Sequence, residues 1–169
     1  LTELLSDASA EALIVQHNSG VVLARLPEAL KAKGVTLTSM EEAARKSERL
    51  FRDHFMVACR RDEHKLAALH AALWNGGAFL YVPKGVEIEQ PVQIVVFADD
   101  PAATVAPHIL VIAEAGSRVT VVEHMYSALQ ESSDALLVNG AVEIFAKAGS
   151  HVRYASVHHM ESGAVDIAY

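Results

Sequence analysis

The chain has 169 residues, of which 51% are hydrophobic and 21% are charged. This length and composition suit one folded domain with a substantial core and exclude a disordered chain. Fourteen Lys and Arg residues against 21 Asp and Glu residues give a net charge of −7, which argues against binding to nucleic acid or to an anionic membrane.

The sequence also predicts a cytoplasmic protein. Its longest uncharged apolar runs fall far short of the roughly 20 residues that a membrane span needs. The chain does not open with a basic segment followed by an apolar one, as a secretory signal would. Its one cysteine, Cys59, excludes an internal disulfide and a zinc ribbon.

Charge and residue type divide the chain near residue 78. Residues 1–78 carry ten acidic and ten basic side chains, whereas residues 79–169 carry eleven acidic and only four basic ones. The second segment also contains fifteen valines and six isoleucines, which are β-branched and favour strands. We therefore predict a small α+β, partly helical amino-terminal region over 1–78 and a β core over 79–169.

The first elements are predicted to be a β-hairpin and a short helix. Two short apolar runs, 12–16 and 21–25, flank the turn-forming segment 17–20, His-Asn-Ser-Gly. Pro27 then opens a short helix that Gly34 ends, which is the usual placement of these two residues.

Three further helices are predicted before residue 78. Ser39 with Glu42 forms a capping box for a helix through about residue 47, and a second helix runs over about 48–55. A third, over 65–74, has apolar residues spaced for one buried face: Leu66, Ala67, Leu69, Ala71, Leu73 and Trp74.

After residue 78 the pattern changes to short strands separated by turn residues. The predicted strands are 79–82, 86–89, 92–97, 109–113, 119–122, 142–146 and 152–157.

Two of these units are copies of one another. Residues 109–119, ILVIAEAGSRV, align with residues 142–152, VEIFAKAGSHV, at an offset of 33, and residues 79–88 form a fainter copy 31 residues earlier. Short strands broken by a glycine at a near-constant period predict stacked units, as in a β-solenoid or β-helix. A β-sandwich or jelly roll with similar turns remains the alternative.

Three motifs resemble one known family. Residues 69–93, LHAALWNGGAFLYVPKGVEIEQPVQ, closely resemble the signature of the SufB/SufD family of iron–sulfur cluster assembly proteins. Residues 108–123 and 149–157 are similar to the turns that follow in that family. The resemblance covers nearly the whole chain, and the hairpin with the helix after Pro27 is most similar to SufD-type members.

The resemblance implies a fold and a function. Family members have a right-handed parallel β-helix as their core and act as scaffolds, not enzymes, in the SUF machinery. SufB pairs with SufD, and both associate with the ATPase SufC. The expected partners are therefore a SufB-type scaffold and a SufC-type ATPase, with a homodimer as another possibility.

The family proteins continue beyond the segment seen here. They add further β-helix turns and a helical region that docks SufC, whereas this chain starts without Met and stops at Tyr169 in a strand-rich pattern. We expect it to be part of a longer protein, with the family's iron and cluster ligands in later turns. This segment is therefore expected to bind no cofactor stably, with iron or an iron–sulfur cluster held transiently in the full complex.

Histidines are the candidate metal ligands within the chain, because imidazole is a common ligand. His124 falls close to position 157 in the repeat register, so His124 and His158 are predicted on nearby turns and are the metal candidates, with Glu123 and Glu161 as further donors. His158 and its neighbour His159 point to opposite faces of a strand and cannot enter one site. Exposed or partner-facing histidines are the simpler interpretation.

Cys59 is followed by Arg60 and Arg61, which could lower its thiol pKa and make it reactive. An incidental reduced cysteine is the simpler interpretation.

Two other functions are compatible with a β-solenoid. The first is a β-helical carbohydrate-active enzyme, which needs clustered acidic groups along a groove. The second is an autonomous homo-oligomeric binding module. The sequence predicts no catalytic residue.

Overall fold

The computed structural model describes residues 12–100, 102–128 and 135–169; residues 1–11 of the predicted amino-terminal region lie outside it. The strands are β1 Leu13–His17, β2 Gly20–Arg25, β3 Thr36–Thr38, β4 Ala78–Val82, β5 Val92–Ala98, β6 Thr104–Val105, β7 His108–Ala113, β8 Arg118–Ser127, β9 Leu136–Ala146, β10 His151–His159 and β11 Ala164–Ala168. The helices are α1 Glu28–Ala32, α2 Met40–Lys46, α3 Glu48–His54 and α4 Lys65–Leu73.

The strands form two mixed sheets, so the protein is mainly β. The first sheet has the order β10-β8-β5-β1-β2. The second has the order β11-β9-β7-β4-β3, with β6 paired to β9. The pairs β1–β2 and β3–β4 are antiparallel, and the other pairs are parallel.

The parallel pairs follow the predicted repeat. Arg118 pairs with His151 and His108 with Ala141, both at the offset of 33 read from the sequence. Ala78 pairs with Ile109 at the fainter offset of 31. The glycines that follow the aligned strands adopt almost the same left-handed conformation, with φ near 70° at Gly85, Gly116 and Gly149. The internal repeat is therefore a structural repeat.

One predicted strand is not regular. Residues 86–89 make only an isolated bridge, between Glu87 and Arg118. In contrast, β8 runs to Ser127, five residues beyond its predicted end, because its alternation of side chains continues through that residue.

The amino-terminal hairpin and helices lie close to their predicted positions. Strands β1 and β2 form the hairpin, with Asn18 in the left-handed conformation at its turn. Helix α2 begins after Ser39, whose hydroxyl accepts a hydrogen bond from the Glu42 amide at 3.2 Å. The hairpin extends the first sheet beside β5, while β3 extends the second sheet beside β4. The division at residue 78 stays a prediction.

The main core lies between the two sheets. Ile14, Ile94 and Val121 of the first sheet are buried against Leu80 and Val111 of the second. The opposite face of the second sheet is covered by the helices, where Phe79 and Leu110 pack against residues such as Met40 and Phe51. These two contacts make three layers: sheet, sheet and helices.

Helix α4 buries most of its predicted face: Ala67 is buried, and Leu66, Leu69, Ala71 and Trp74 are half-buried. The prediction is wrong at Leu73, which is 43% exposed, and it omitted the buried His70. Within the described residues, none of the helices is both long and apolar enough to cross a membrane.

Candidate functional site

Alternation in β8 directs a carboxylate into the core between the sheets. Val121, Glu123 and Met125 share the buried face of the strand. The register of β8 with β10 pairs Glu123 with Ser156, so their side chains point to the same side. Tyr154 and His158, two residues on either side of Ser156, follow the same face.

These side chains form a hydrogen-bonded chain that we call the interior polar cluster: Glu123, Tyr154, Ser156, His158 and Asp166. The hydroxyls of Tyr154 and Ser156 donate to Glu123 Oε2 at 2.5 Å and 2.6 Å. His158 Nε2 lies 2.6 Å from Ser156 Oγ, and its Nδ1 contacts Asp166 Oδ2. Because Asp166 belongs to β11, the cluster connects the two sheets.

Burial is greatest at the Glu123 end of the cluster, because Ser156 and Asp166 are exposed residues. Glu123 is 4% exposed. Burial, with the nearby Glu123 carboxylate, raises the pKa of Tyr154 far above its usual value, so this phenol remains a hydrogen-bond donor at every physiological pH. Two hydroxyl donors are therefore fixed on one buried carboxylate.

The connectivity Ser156–His158–Asp166 has the order of a hydrolase triad but the opposite polarity. In a triad the serine hydroxyl donates to the histidine, which removes its proton. Here the Ser156 hydroxyl donates to Glu123, so His158 Nε2 has to donate to the serine oxygen. The arrangement suits a structural hydrogen-bond chain rather than an activated nucleophile.

The two metal candidates, His124 and His158, lie on opposite faces of the first sheet. His124 pairs with Val157, as the offset of 33 predicts, and its ring stacks on Tyr126 of the outer face at 6.1 Å. His159 also stacks on Tyr126, so His158 and His159 diverge as expected. One ion cannot bind both His124 and His158 from these positions.

The further donors proposed with those histidines also separate. Glu123 Oε2 lies 4.0 Å from His158 Nε2, whereas Glu161 is exposed and contributes its backbone amide to Ser127 Oγ. Within residues 12–100, 102–128 and 135–169, no three His, Cys, Asp or Glu side chains are grouped to hold a metal ion. Metal binding at His124 or His158 stays a prediction.

The sequence pattern missed three members of the interior polar cluster. Tyr154 and Ser156 could have been found, because the 33-residue offset places them opposite residues 121 and 123. Asp166 could not, since no repeat or strand was predicted around it.

Cys59 does not have the environment suggested by its arginine neighbours. Its Sγ is half-buried, 3.6 Å from the carbonyl oxygen of Val142. Burial, together with the charges of Glu143 and Glu63, raises the pKa of the thiol. The thiol is therefore less readily ionised than a free cysteine.

A groove of about 610 Å³ lies where β8 and β10 begin. Glu87, Glu89, Arg118 and Arg153 line it, and Arg118 Nε is 3.5 Å from Glu87 Oε1. Acidic and basic groups thus neutralise one another along its wall.

Two sheets of parallel, repeat-related strands with a polar chain between them define a repetitive β protein with an α+β amino-terminal segment. Two family models together match almost the full length of the chain. The model of the SufBD protein N-terminal region matches residues 9–94, and the model of the SufBD core domain of SUF system FeS cluster assembly matches residues 96–169. The chain belongs to the SufBD family.

Individual relatives agree with this assignment. The chain is 41% identical over 152 residues to the iron–sulfur cluster assembly protein SufD of Bacillus subtilis (strain 168), covering 89% of this chain and 34% of that protein. It is 29% identical over 152 residues to SufB of the same strain, covering 90% and 32%. A SufBD family protein of Pyrococcus horikoshii is 34% identical over 111 residues, covering 66% and 25%. The chain spans about a third of the length of the two Bacillus relatives and a quarter of the archaeal one.

Proposed function

We propose that this chain is part of a SufD-like scaffold subunit of the SUF iron–sulfur cluster assembly machinery. The main support is the difference in identity to two proteins of one bacterium, 41% to SufD against 29% to SufB over segments of equal length. The subunit acts with a SufB-type scaffold and a SufC-type ATPase in the cytoplasm, without binding nucleic acid or membrane.

We further propose that the two sheets are the first turns of a right-handed parallel β-helix. Parallel pairing at offsets of 28, 29, 31 and 33 residues, as between Leu136 and Ala164 or Val92 and Val121, supports this interpretation. Parallel strands joined by crossovers in one sheet are right-handed in almost all proteins. Such a stack gives a rigid support for sites on other turns.

The proposed role is non-catalytic. The reversed polarity at Ser156 and the raised pKa of Cys59 both support a structural segment. Iron or a nascent cluster is the cargo of the complete assembly. ATP hydrolysis by the SufC-type partner drives a rearrangement of the two paired scaffold subunits.

Co-purification tests the proposal. The full-length protein, carrying an affinity tag, is co-expressed with a SufB-type scaffold and a SufC-type ATPase, and the tag alone serves as control. We expect both partners to elute with the tagged protein in a fixed ratio. A folded ATPase that remains in the flow-through would contradict the proposal, and a stable homodimer in that case would favour the binding module instead.

A further inference from the structure

A second buried carboxylate lies on the helix-covered face of the second sheet. The side chain of Glu143, in β9, has no exposed surface. It accepts hydrogen bonds from four consecutive backbone amides: Met56 at 2.6 Å, Val57 at 2.9 Å, Ala58 at 2.6 Å and Cys59 at 3.0 Å. Met56 has a φ of 56°, a left-handed conformation that turns the following amides toward the carboxylate. The loop 56–59 is therefore attached to the sheet mainly through one side chain.

The carboxylate continues into a chain of two buried histidines. Glu143 Oε2 lies 3.0 Å from His108 Nε2, and His108 Nδ1 lies 2.9 Å from His70 Nε2. His70 Nδ1 lies 2.8 Å from the carbonyl oxygen of Asn139. Both histidine side chains are completely buried, so water does not replace any of these partners. We call Glu143, His108 and His70 the buried relay.

Counting protons fixes the charge of the buried relay. A carbonyl oxygen only accepts, so His70 Nδ1 carries a hydrogen. The three hydrogen bonds, from Asn139 through the two rings to Glu143, require three hydrogens, and two neutral imidazoles supply only two. One additional proton is therefore held between the carboxylate and the rings, which makes the relay neutral overall.

The surroundings keep that proton away from His70. Burial lowers the pKa of His70 to about 4, despite the Asn139 carbonyl, so His70 stays neutral. Burial alone would raise the pKa of Glu143, but the hydrogen bonds from His108 and from the Cys59 and Met56 amides outweigh it and hold this pKa below its usual value. The carboxylate thus stays ionised, and the additional proton lies in its hydrogen bond with the His108 ring.

We propose that the buried relay is a proton-dependent latch that holds the loop 56–59 on the second sheet near neutral pH and releases it on acidification. When the loop is closed, the additional proton of the buried relay balances the Glu143 charge, and the carboxylate can accept hydrogen bonds from all four amides. A further proton has to enter at His70 or at Glu143 beneath the amides. Either one disrupts the attachment.

The direction of the pH effect follows from proton binding. When the latch opens, His70 and Glu143 return toward their ordinary pKa values of 6.5 and 4.5. The open state therefore binds more protons than the closed state as the pH falls below about 6.5 and toward 4, and acid favours opening. Above pH 6.5 His70 no longer contributes, and the additional proton, which only the closed relay holds, makes alkaline pH favour opening as well, so the latch is tightest near pH 6.5.

Other titratable groups also face the buried relay. Burial raises the pKa of the Cys59 thiol. Burial, together with the charges of Cys59 and Glu143, raises the pKa of Tyr169 to about 12. Neither group changes its charge in the acidic range. Glu63 lies near Cys59, His64 stacks edge-on against Tyr169 at 5.2 Å, and His54 packs on Phe145 at 4.7 Å. His64 is the neighbouring histidine whose titration has to be controlled for.

Hydrogen exchange of the complete protein, measured by mass spectrometry at pH 7.5 and pH 5 and corrected for intrinsic rates, tests the latch. We expect protection of amides 56–59 to fall severalfold at pH 5, because His70 takes up a proton there in the open state but not in the closed state. Glu143→Gln should lose this protection at both pH values, whereas His70→Gln, which cannot titrate, should lose less of it at pH 5. Protection that is independent of pH in the wild-type protein would overturn the proposal.

Two controls separate the latch from general destabilisation. Glu123→Gln alters the buried carboxylate of the interior polar cluster, and His64→Gln alters the neighbouring histidine; both should keep the wild-type pH dependence of amides 56–59. If their effect equals that of the relay variants, the proposal is wrong. Nitrogen NMR of labelled histidines in the unmodified protein gives a second readout: a His70 ring that stays neutral at pH 5.5, with its hydrogen on Nδ1, is expected. A His70 ring that is protonated at this pH would contradict the latch.

Discussion

At the scale of single residues, burial of polar groups was the hardest feature to predict. The apolar spacing of α4 correctly placed Ala67 on the buried face, but it also placed Leu73 there, which is 43% exposed, and it omitted the buried His70. Hydrophobic periodicity does not predict burial of a histidine, whereas His70 can be buried because both of its ring nitrogens have hydrogen-bond partners, His108 and the Asn139 carbonyl. Pairing of this kind depends on residues 38 and 69 positions away, which no local pattern records.

Gly77 provides a prediction at this scale. Its φ is +79°, and a Cβ added there would lie 2.0 Å from the carbonyl oxygen of His108. We expect Gly77→Ala to lower the free energy of unfolding by about 3 kcal/mol or more, because backbone strain and a backbone clash combine. Urea denaturation of the complete protein measures the change.

Gly116→Ala is the matched control for Gly77→Ala. Gly116 has a similar φ of +70°, but a Cβ there would meet nothing within 4 Å. It should cost only about 1 kcal/mol, from the left-handed conformation alone. Equal losses in the two variants would show that the close approach to His108 is unimportant.

At the scale of elements, the repeat predicted more than the propensities did. The offset of 33 correctly paired β8 with β10 and β7 with β9, because stacked copies of one motif keep their register. Alternation of apolar and acidic residues wrongly predicted a strand over residues 86–89, where the chain makes a single bridge, from Glu87 to Arg118. The repeat could not reveal β11, because this strand lies outside the repeated segments 109–119 and 142–152. The candidate site was therefore predictable where it followed the repeat and unpredictable at Asp166.

Tyr154 tests whether the interior polar cluster stabilises the pairing of β8 with β10. Tyr154→Phe removes the hydroxyl that donates to Glu123 at 2.5 Å and leaves a buried carboxylate with one fewer donor. We expect a loss of about 1.5–3 kcal/mol in the free energy of unfolding, the usual range for a hydrogen bond to a charged group. Urea denaturation at pH 7 measures it.

Tyr126→Phe is the control for Tyr154→Phe, because the Tyr126 ring lies on the outer face of the same sheet, stacked on His124 and His159. Tyr126→Phe should lower the free energy of unfolding by no more than about 0.5 kcal/mol, as for most surface substitutions. If Tyr154→Phe is equally mild, the cluster does not contribute to stability.

At the scale of the whole molecule, the composition changes near residue 78, but the residues on either side of that point pack together. The helices cover one face of the second sheet, and the hairpin and β3 extend both sheets. The net charge of −7 arises entirely after residue 78. Two acidic residues of that segment, Glu123 and Glu143, are buried, and their side chains take part in hydrogen bonds, so part of the acidic composition is structural.

The central claim, a SufD-like scaffold in iron–sulfur cluster assembly, is tested most directly by cluster formation. The complete protein is combined anaerobically with its SufB-type and SufC-type partners, iron, a sulfur donor and ATP, and the cluster bound to the assembly is measured by its visible absorbance and iron content. We predict that cluster accumulates on the three-component assembly and falls severalfold when this subunit is omitted. An equal yield of cluster without the subunit would contradict the account.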